Sequence, residues 1–383
     1  MGVWGLRVSA AKISVRVVAQ EIVTALGVGT EACWLGLVER RCPLVPDSRF
    51  YPSDPEQCYP VGVVRECDDA PPSPVAEESR FMRLLSILLP NLRRVIPDDT
   101  KVILSTTVGE ADLLEREMLA GKSGGAGGDL HVTLARVRSA LGSKQPALLL
   151  SAACASSTSA LALGAEWIAS GRFNCVCVIG CDALSEFAYS GFLSLQALSS
   201  RTAQPFHPGR DGLNLGEAAG YALLMSEARA RAEKRPNLGT VEGWGQGCDA
   251  VHMTTPAQDG AGLVRSVRRA LDVAATPPEM IGAICAHGTG TSFNDDMEQT
   301  AFLSIFGNMP PLFSVKGAIG HTLGAAGVVE LCLTLRALRE RRTPPTVGAE
   351  CLPAQAVRSD YALTANSGFG GINVALLLRR GED

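Results

Sequence analysis

The sequence predicts an α/β fold, either in two halves or as one large α/β body. Three observations carry the prediction. From residue 147 onward, short apolar runs alternate with stretches of helical periodicity, the pattern of strands alternating with helices. At 383 residues the chain exceeds the roughly 100–200 residues of one ordinary domain. Finally, 40 glycines against 5% aromatics point to tight turns where backbone comes close to other backbone or to a ligand.

Composition narrows the class. With 46% hydrophobic and 19% charged residues the chain is globular, neither disordered nor collagen-like. A net charge of −4 supplies no field for binding nucleic acid. The 12 cysteines lie in a chain too large for a disulfide-stapled scaffold, which predicts reduced thiols and a cytoplasmic protein. Arg7, Lys12 and Arg16 interrupt any apolar run a signal peptide would need. Residues 145–165 carry no charge, but the serines at 151, 156, 157 and 159 and the opening Pro146 predict a buried strand, turn and helix rather than a membrane span.

In chain order, residues 43–78 are rich in Pro and acidic residues and read as a loop excursion. A helix is predicted over 79–95, where Phe81, Leu84, Leu85, Leu88 and Leu89 share one face. Gly121 to Gly128 is a Gly-rich loop; it fails as a phosphate-binding loop because Arg116 stands where that motif needs Gly. Then follow a strand at 147–153, a helix after Cys154, a strand at 175–180 and a Gly-rich return over 205–225. Residues 228–237 are polar and mark the junction of halves. The second half repeats the rhythm: helix near 260–272, strand 281–287, helix near 294–306, strand 312–315, and a helix from about 321 to 340.

Cys154 ends an apolar strand where a small-residue helix begins. Helix N-terminal amides favour thiolate there, so the placement suits a nucleophile of lowered pKa. A small buried hydrophobe is the alternative on this segment alone. His287, in CAHGTGTSFNDDMEQ, and His321, in SVKGAIGHTLGAAG, also fall at strand-to-helix turns. Two of only five histidines in equivalent positions favour a catalytic Cys with two His. Gly368, Gly370 and Gly371 in NSGFGGIN would let backbone amides approach a reacting carbonyl. Cys175, Cys177 and Cys181 lack the spaced partners of a metal site and read as core. His207, beside Arg210 and Asp211, reads as a turn network.

Taken together, SAACASS, PFHPGRDGLNLGEAAG, HMTTP, AHGTGTSFNDDME, VKGAIGHTLGAAGVVE and GFGGIN resemble the β-ketoacyl synthase family, the condensing enzymes of fatty-acid and polyketide assembly, over about residues 13 to 380. The resemblance implies a thiolase-like five-layered αβαβα fold of two pseudo-equivalent halves, 13–232 with the nucleophile and 238–380 with both histidines. It implies decarboxylative condensation of a Cys154-bound acyl chain with a malonyl group on acyl carrier protein. His287 and His321 would bind the developing enolate, and the N–H groups of Cys154 and Phe369, between Gly368 and Gly370, would form the oxyanion hole. Lys316 would orient His321 and pair with Glu298, while Thr289 and Thr291 would touch the pantetheine arm. No metal or resident cofactor is implied, since phosphopantetheine arrives on the carrier. A homodimer is expected, or a heterodimer with a paralogous synthase. Non-catalytic chain-length-factor partners lack the nucleophile, so Cys154 argues for an enzyme.

Departures from the family's pattern fall away from the chemistry. Ser367 stands at the first Phe of the usual FGFGG, His207 follows Phe206 where Asp is usual, and Gln196 occupies a position that often carries a carrier-binding Arg. Arg80, Arg83 and Arg201 are the expected substitutes for docking. Because these positions shape gate and docking surface, a specialised polyene or lipid pathway stands beside plain fatty-acid elongation.

Overall fold

A computed structural model describes residues 14–50, 58–69, 78–121 and 128–382. Its strands form the same sheet twice. β1 (Val15–Thr24), β2 (Lys101–Ser105), β3 (Leu148–Leu150), β4 (Cys175–Asp182) and β5 (Ala218–Ser226) lie in the order β3-β2-β4-β5-β1. β6 (Gly239–Cys248), β7 (Ile281–Cys285), β8 (Leu312–Phe313), β9 (Tyr361–Gly368) and β10 (Ile372–Arg380) lie in the order β8-β7-β9-β10-β6. Strand directions repeat as well: three parallel strands at the outside, then two antiparallel ones. The sheets join where Val15–Val17 pair with Gly239–Val241.

Helices fill the layers between and outside. α1 (Arg80–Val95) and α2 (Leu130–Leu141) cover the first sheet, and α5 (Ala261–Ala274) and α6 (Ser292–Phe306) the second. Between the sheets run α3 (Ser156–Ala169) and α7 (Ala326–Glu340), each packed on strands of both halves. This is the five-layered αβαβα arrangement. A helix sandwiched between sheets must be apolar or small over most of its surface, and both are, with Glu166 on α3 and with Glu330 and the charges toward the end of α7 as the exceptions. A Cβ on Gly327 of α7 would collide with the backbone of Thr158 on α3, so glycine is what lets the central helices touch.

The apolar runs read as strands because both sheet faces are covered. Along β4, Val176 and Val178 point into the central core, while Cys175, Cys177, Ile179 and Cys181 pack outward with Leu84 and Leu88 of α1. The three cysteines are core residues, as expected. The predicted α1 face is buried throughout, and Ser79 caps the helix by accepting from the Met82 N–H at 3.0 Å. Residues 145–165 fold as β3, a turn and α3, and no helix of the described residues is long and apolar enough to cross a membrane.

Some boundaries differ. The predicted helix from 321 starts only at Ala326, because Lys316–Ile319 form one isolated turn and His321 lies in a buried loop bonded to Asn214 and Gly216. The predicted strand at 312–315 pairs only over Leu312–Phe313. Parts of the 43–78 excursion and of the Gly-rich loop at 121–128 lie outside the described residues.

Candidate active site

The repeat brings equivalent strand ends together. Cys154 follows edge strand β3 and leads into α3; His321 follows edge strand β8 and leads toward α7. Before the thiol, Ala153 adopts φ +47°, a left-handed conformation that costs a non-glycine residue about 1–2 kcal/mol. Ser156 holds this elbow: its Oγ accepts from Ala152 N at 2.9 Å and donates to Ala153 O at 2.5 Å. The result aims Cys154 into a cavity that it shares with Phe192, His287, Thr289, His321 and Phe369.

The thiol is not the low-pKa nucleophile that helix position alone predicts. Burial pushes it from 9.0 up to about 12, against the pull of Lys316 and of the Cys154 and Phe369 backbone N–H groups that approach the sulfur. Removing water from a charged group shifts a pKa by several units, more than a helix terminus supplies. The resting site therefore holds a neutral thiol, and those two N–H groups converge on the reacting atom.

The imidazoles of His287 and His321 stand 5.1 Å apart between centroids and nearly perpendicular, at 87°. Burial first, and the charge of Lys316 second, drive both well below the usual histidine range, so both are neutral. Neither ring nitrogen of His321 has a hydrogen-bond partner among the described residues. The tautomer of His287 follows from Asn366. Its Nδ2 donates to Glu330 Oε2 at 2.8 Å and meets His287 Nδ1 at 3.0 Å, while its Oδ1 accepts from Thr158. An amide oriented by a carboxylate on one side and a hydroxyl on the other makes Nδ1 an acceptor. The ring proton then sits on Nε2, which leaves that nitrogen a donor.

Lys316 and Glu298 do not form the expected pair. Lys316 Nζ is bonded to Glu330 and donates to His287 O at 2.5 Å; no bond from it to His321 is present. Glu298 instead accepts from the backbone N–H groups of His287 and Gly288, both at 2.7 Å, and from Asn294 at 2.9 Å. Burial and neighbouring Asp295 raise its carboxyl to about 8. The physical reason is reach. Glu330 projects from α7 into the same dry interior as Lys316, whereas Glu298 on α6 is spent fastening the His287 loop.

At the mouth, Phe369 stacks on Phe192 of α4 (Glu186–Ser194) at 5.6 Å. Gly368 lies so close to Cys154 N that a Cβ there would stand 3.2 Å away, and Gly370 N donates to Met253 O at 2.6 Å. Thr289 lines the cavity, and its hydroxyl meets that of Thr291 at 3.0 Å. The His252 ring accepts from Thr254 N and Thr255 N, holding the turn that forms another wall. His207 closes a turn by accepting from Gly209 N at 3.0 Å.

Of the three arginines expected to dock a carrier, Arg80 is the most engaged: its part-buried guanidinium is held in ion pairs with Glu217 and Asp68. Arg83 lies half-buried on α1. Arg201 is exposed, held by Asp211 at 3.1 Å and Gly209 O at 2.8 Å, on the turn whose Ala197 and Leu213 line the cavity. The residue types alone missed Glu330, Asn366, Phe192 and Ser156. For Glu330 a signal existed, since a lone carboxylate inside GVVELCLTL demands a buried partner.

A thiol at a strand-to-helix elbow, facing two neutral imidazoles within a doubled sheet, defines a condensing acyltransferase of the thiolase-like fold. Family profiles described as the N-terminal and C-terminal domains of β-ketoacyl synthase match residues 93–230 and 238–350. The chain is 30% identical to a 3-oxoacyl-[acyl-carrier-protein] synthase 2 from Synechocystis sp., over 94% of this chain and 96% of that protein. The ishigamide ketosynthase/chain length factor superposes with a TM-score of 0.82 at 28% identity, covering 97% of this chain and 100% of that one. The ketosynthase ApeO in complex with its chain length factor ApeC from Xenorhabdus doucetiae gives 0.80 at 28%, covering 96% and 98%. The chain belongs to the β-ketoacyl synthase family.

Proposed function

We propose that the protein condenses a Cys154-bound acyl chain with malonyl-acyl carrier protein to give β-ketoacyl-acyl carrier protein and CO2. The observation that carries the proposal is the buried thiol facing two neutral imidazoles, one of them fixed as an Nε2–H donor by Asn366.

In the first half-reaction the sulfur of Cys154 attacks the carrier thioester. The carrier sulfur leaves and takes up the proton that Cys154 gives away, so one hard bond formation is split into two easier steps. The N–H groups of Cys154 and Phe369 hold the oxyanion. In the second half-reaction the malonyl C–COO⁻ bond breaks, CO2 departs and its electron pair becomes an enolate. His287 Nε2–H and His321 donate to the enolate oxygen, each bond to charge contributing roughly 1.5–3 kcal/mol. The enolate carbon then forms the C–C bond to the acyl carbonyl, and the Cys154 sulfur leaves and regains a proton. Lys316, neutralised by Glu330, holds the His287 backbone in place, and Glu298 fastens the loop from the other side.

Acyl carrier protein is the expected partner, with Arg201 beside the mouth for its acidic surface. Edge strand β3, with its apolar Leu148–Leu150 half-buried, suits pairing with a second synthase chain, either a copy or a paralogue. No disulfide joins the cysteines among the described residues, which suits a reducing cytoplasm. The likeness to ketosynthase/chain-length-factor complexes supports a second reading, a partner subunit of a heterodimer.

Incubation with acyl- and malonyl-carrier protein should yield β-ketoacyl product and CO2, and Cys154→Ala should abolish acyl loading. Loading retained by that variant would remove the nucleophile assignment. No condensation alone, with activity restored by a co-purifying synthase chain, would establish the partner reading.

A further inference from the structure

Asn294, in the first turn of α6, is 9% exposed and lines the reaction cavity beside His287 and Thr289. Its Nδ2 donates to Glu298 Oε2 at 2.9 Å and to Asp295 Oδ1 at 3.1 Å. Both N–H bonds of the amide are therefore spent on carboxylates, and this fixes the orientation of the side chain, because the opposite flip would set oxygen against oxygen twice. Oδ1 is left without a hydrogen-bond partner among the described residues. An acceptor held there repels the malonyl carboxylate and offers nothing to an enolate. Its complement is a neutral N–H or O–H on whatever occupies the cavity.

Building on the condensing reaction above, we infer that Asn294 Oδ1 accepts a hydrogen bond from an amide N–H of the pantetheine arm that carries the donor. Asn294 thereby selects amide-bearing thioesters and sets how far the arm enters. The Thr289 hydroxyl lines the same wall and meets that of Thr291 at 3.0 Å, which leaves one O–H of the two to give, so the pair and Asn294 together present one donor and one acceptor. That is the pattern an amide group presents in reverse.

The test compares malonyl-pantetheine with its isostere in which the amide nearest the thioester is an ester, removing only the N–H. Wild-type enzyme, preloaded with acyl chain on Cys154, should show a KM about tenfold higher for the ester with kcat nearly unchanged, the size of one ordinary hydrogen bond. Asn294→Ala should raise KM for the amide by a similar factor and bind both donors alike. Should that variant not fold, Asn294→Gly admits water to the two carboxylates and is held to the same criterion. Equal KM values for the two donors in the wild type, or a preference that survives removal of the Asn294 side chain, would overturn the inference. Absence of condensation with either donor in the wild type would instead count against the proposed reaction.

Discussion

Replacing Asn366 by Asp should switch His287 from donor to acceptor without moving it. In the native site the Asn366 amide nitrogen serves Glu330 at 2.8 Å and His287 Nδ1 at 3.0 Å. An oxygen in the same place can give at most one proton, and Glu330 is the stronger claimant. It then meets Nδ1 as an acceptor, drawing the ring proton to that nitrogen and leaving Nε2 bare toward the cavity. Losing one hydrogen bond to the enolate removes roughly 1.5–3 kcal/mol, a fall of about 10- to 150-fold in kcat. A ceiling near 10⁴-fold comes from the serine-protease triad, where the wrong imidazole tautomer has that effect. CO2 release from malonyl-carrier protein reads the loss, while mass spectrometry of acyl groups on Cys154 should show loading within a few-fold of wild type. Asn366→Leu is the control. It deletes the same bonds without imposing a tautomer, so it should lose stability, at roughly 1–3 kcal/mol for each buried group left unpaired, but far less of the decarboxylation rate. Equal kinetic losses in the two variants would refute the tautomer argument and reduce Asn366 to packing.

Other expectations concern the thiol and the loop behind it. Because burial lifts the Cys154 thiol to about 12, its thiolate fraction grows with rising pH throughout the working range. Alkylation by iodoacetamide, followed at that residue by mass spectrometry, should accelerate about tenfold per pH unit from 7 to 10; a plateau near pH 8 would contradict the burial. Gly216 donates to His321 O at 3.0 Å, and a Cβ there would strike the Ile319 carbonyl. Gly216→Ala should therefore displace the His321 loop, lowering Tm and condensation together, and a variant with wild-type activity and melting would show that the loop yields freely.

The layered fold was readable because strands covered on both faces show up as unbroken apolar runs and central helices as runs of small residues. Cys154 and the two histidines were readable because each sits where such a run stops. What could not be read was which buried charges meet. Lys316 lies 18 positions from Glu298 and 14 from Glu330, and neither separation reveals which carboxylate shares its interior. Arg80 lies on an amphipathic helix like many exposed arginines, and its pairing with Glu217, far along the chain, draws it partly inward. The direction of the Cys154 shift was illegible for a related reason: a helix terminus is visible in sequence, whereas the enclosure that outweighs it is assembled from segments spread over residues 192–373.

The thiol belongs to the first run of five strands and both imidazoles to the second. A chain emerging from the ribosome completes the nucleophile more than a hundred residues before either histidine exists. Until the second sheet docks, that cysteine has neither the two imidazoles nor the Phe369 amide beside it. The site is therefore complete only in a chain translated through residues 361–380 and closed across both sheets.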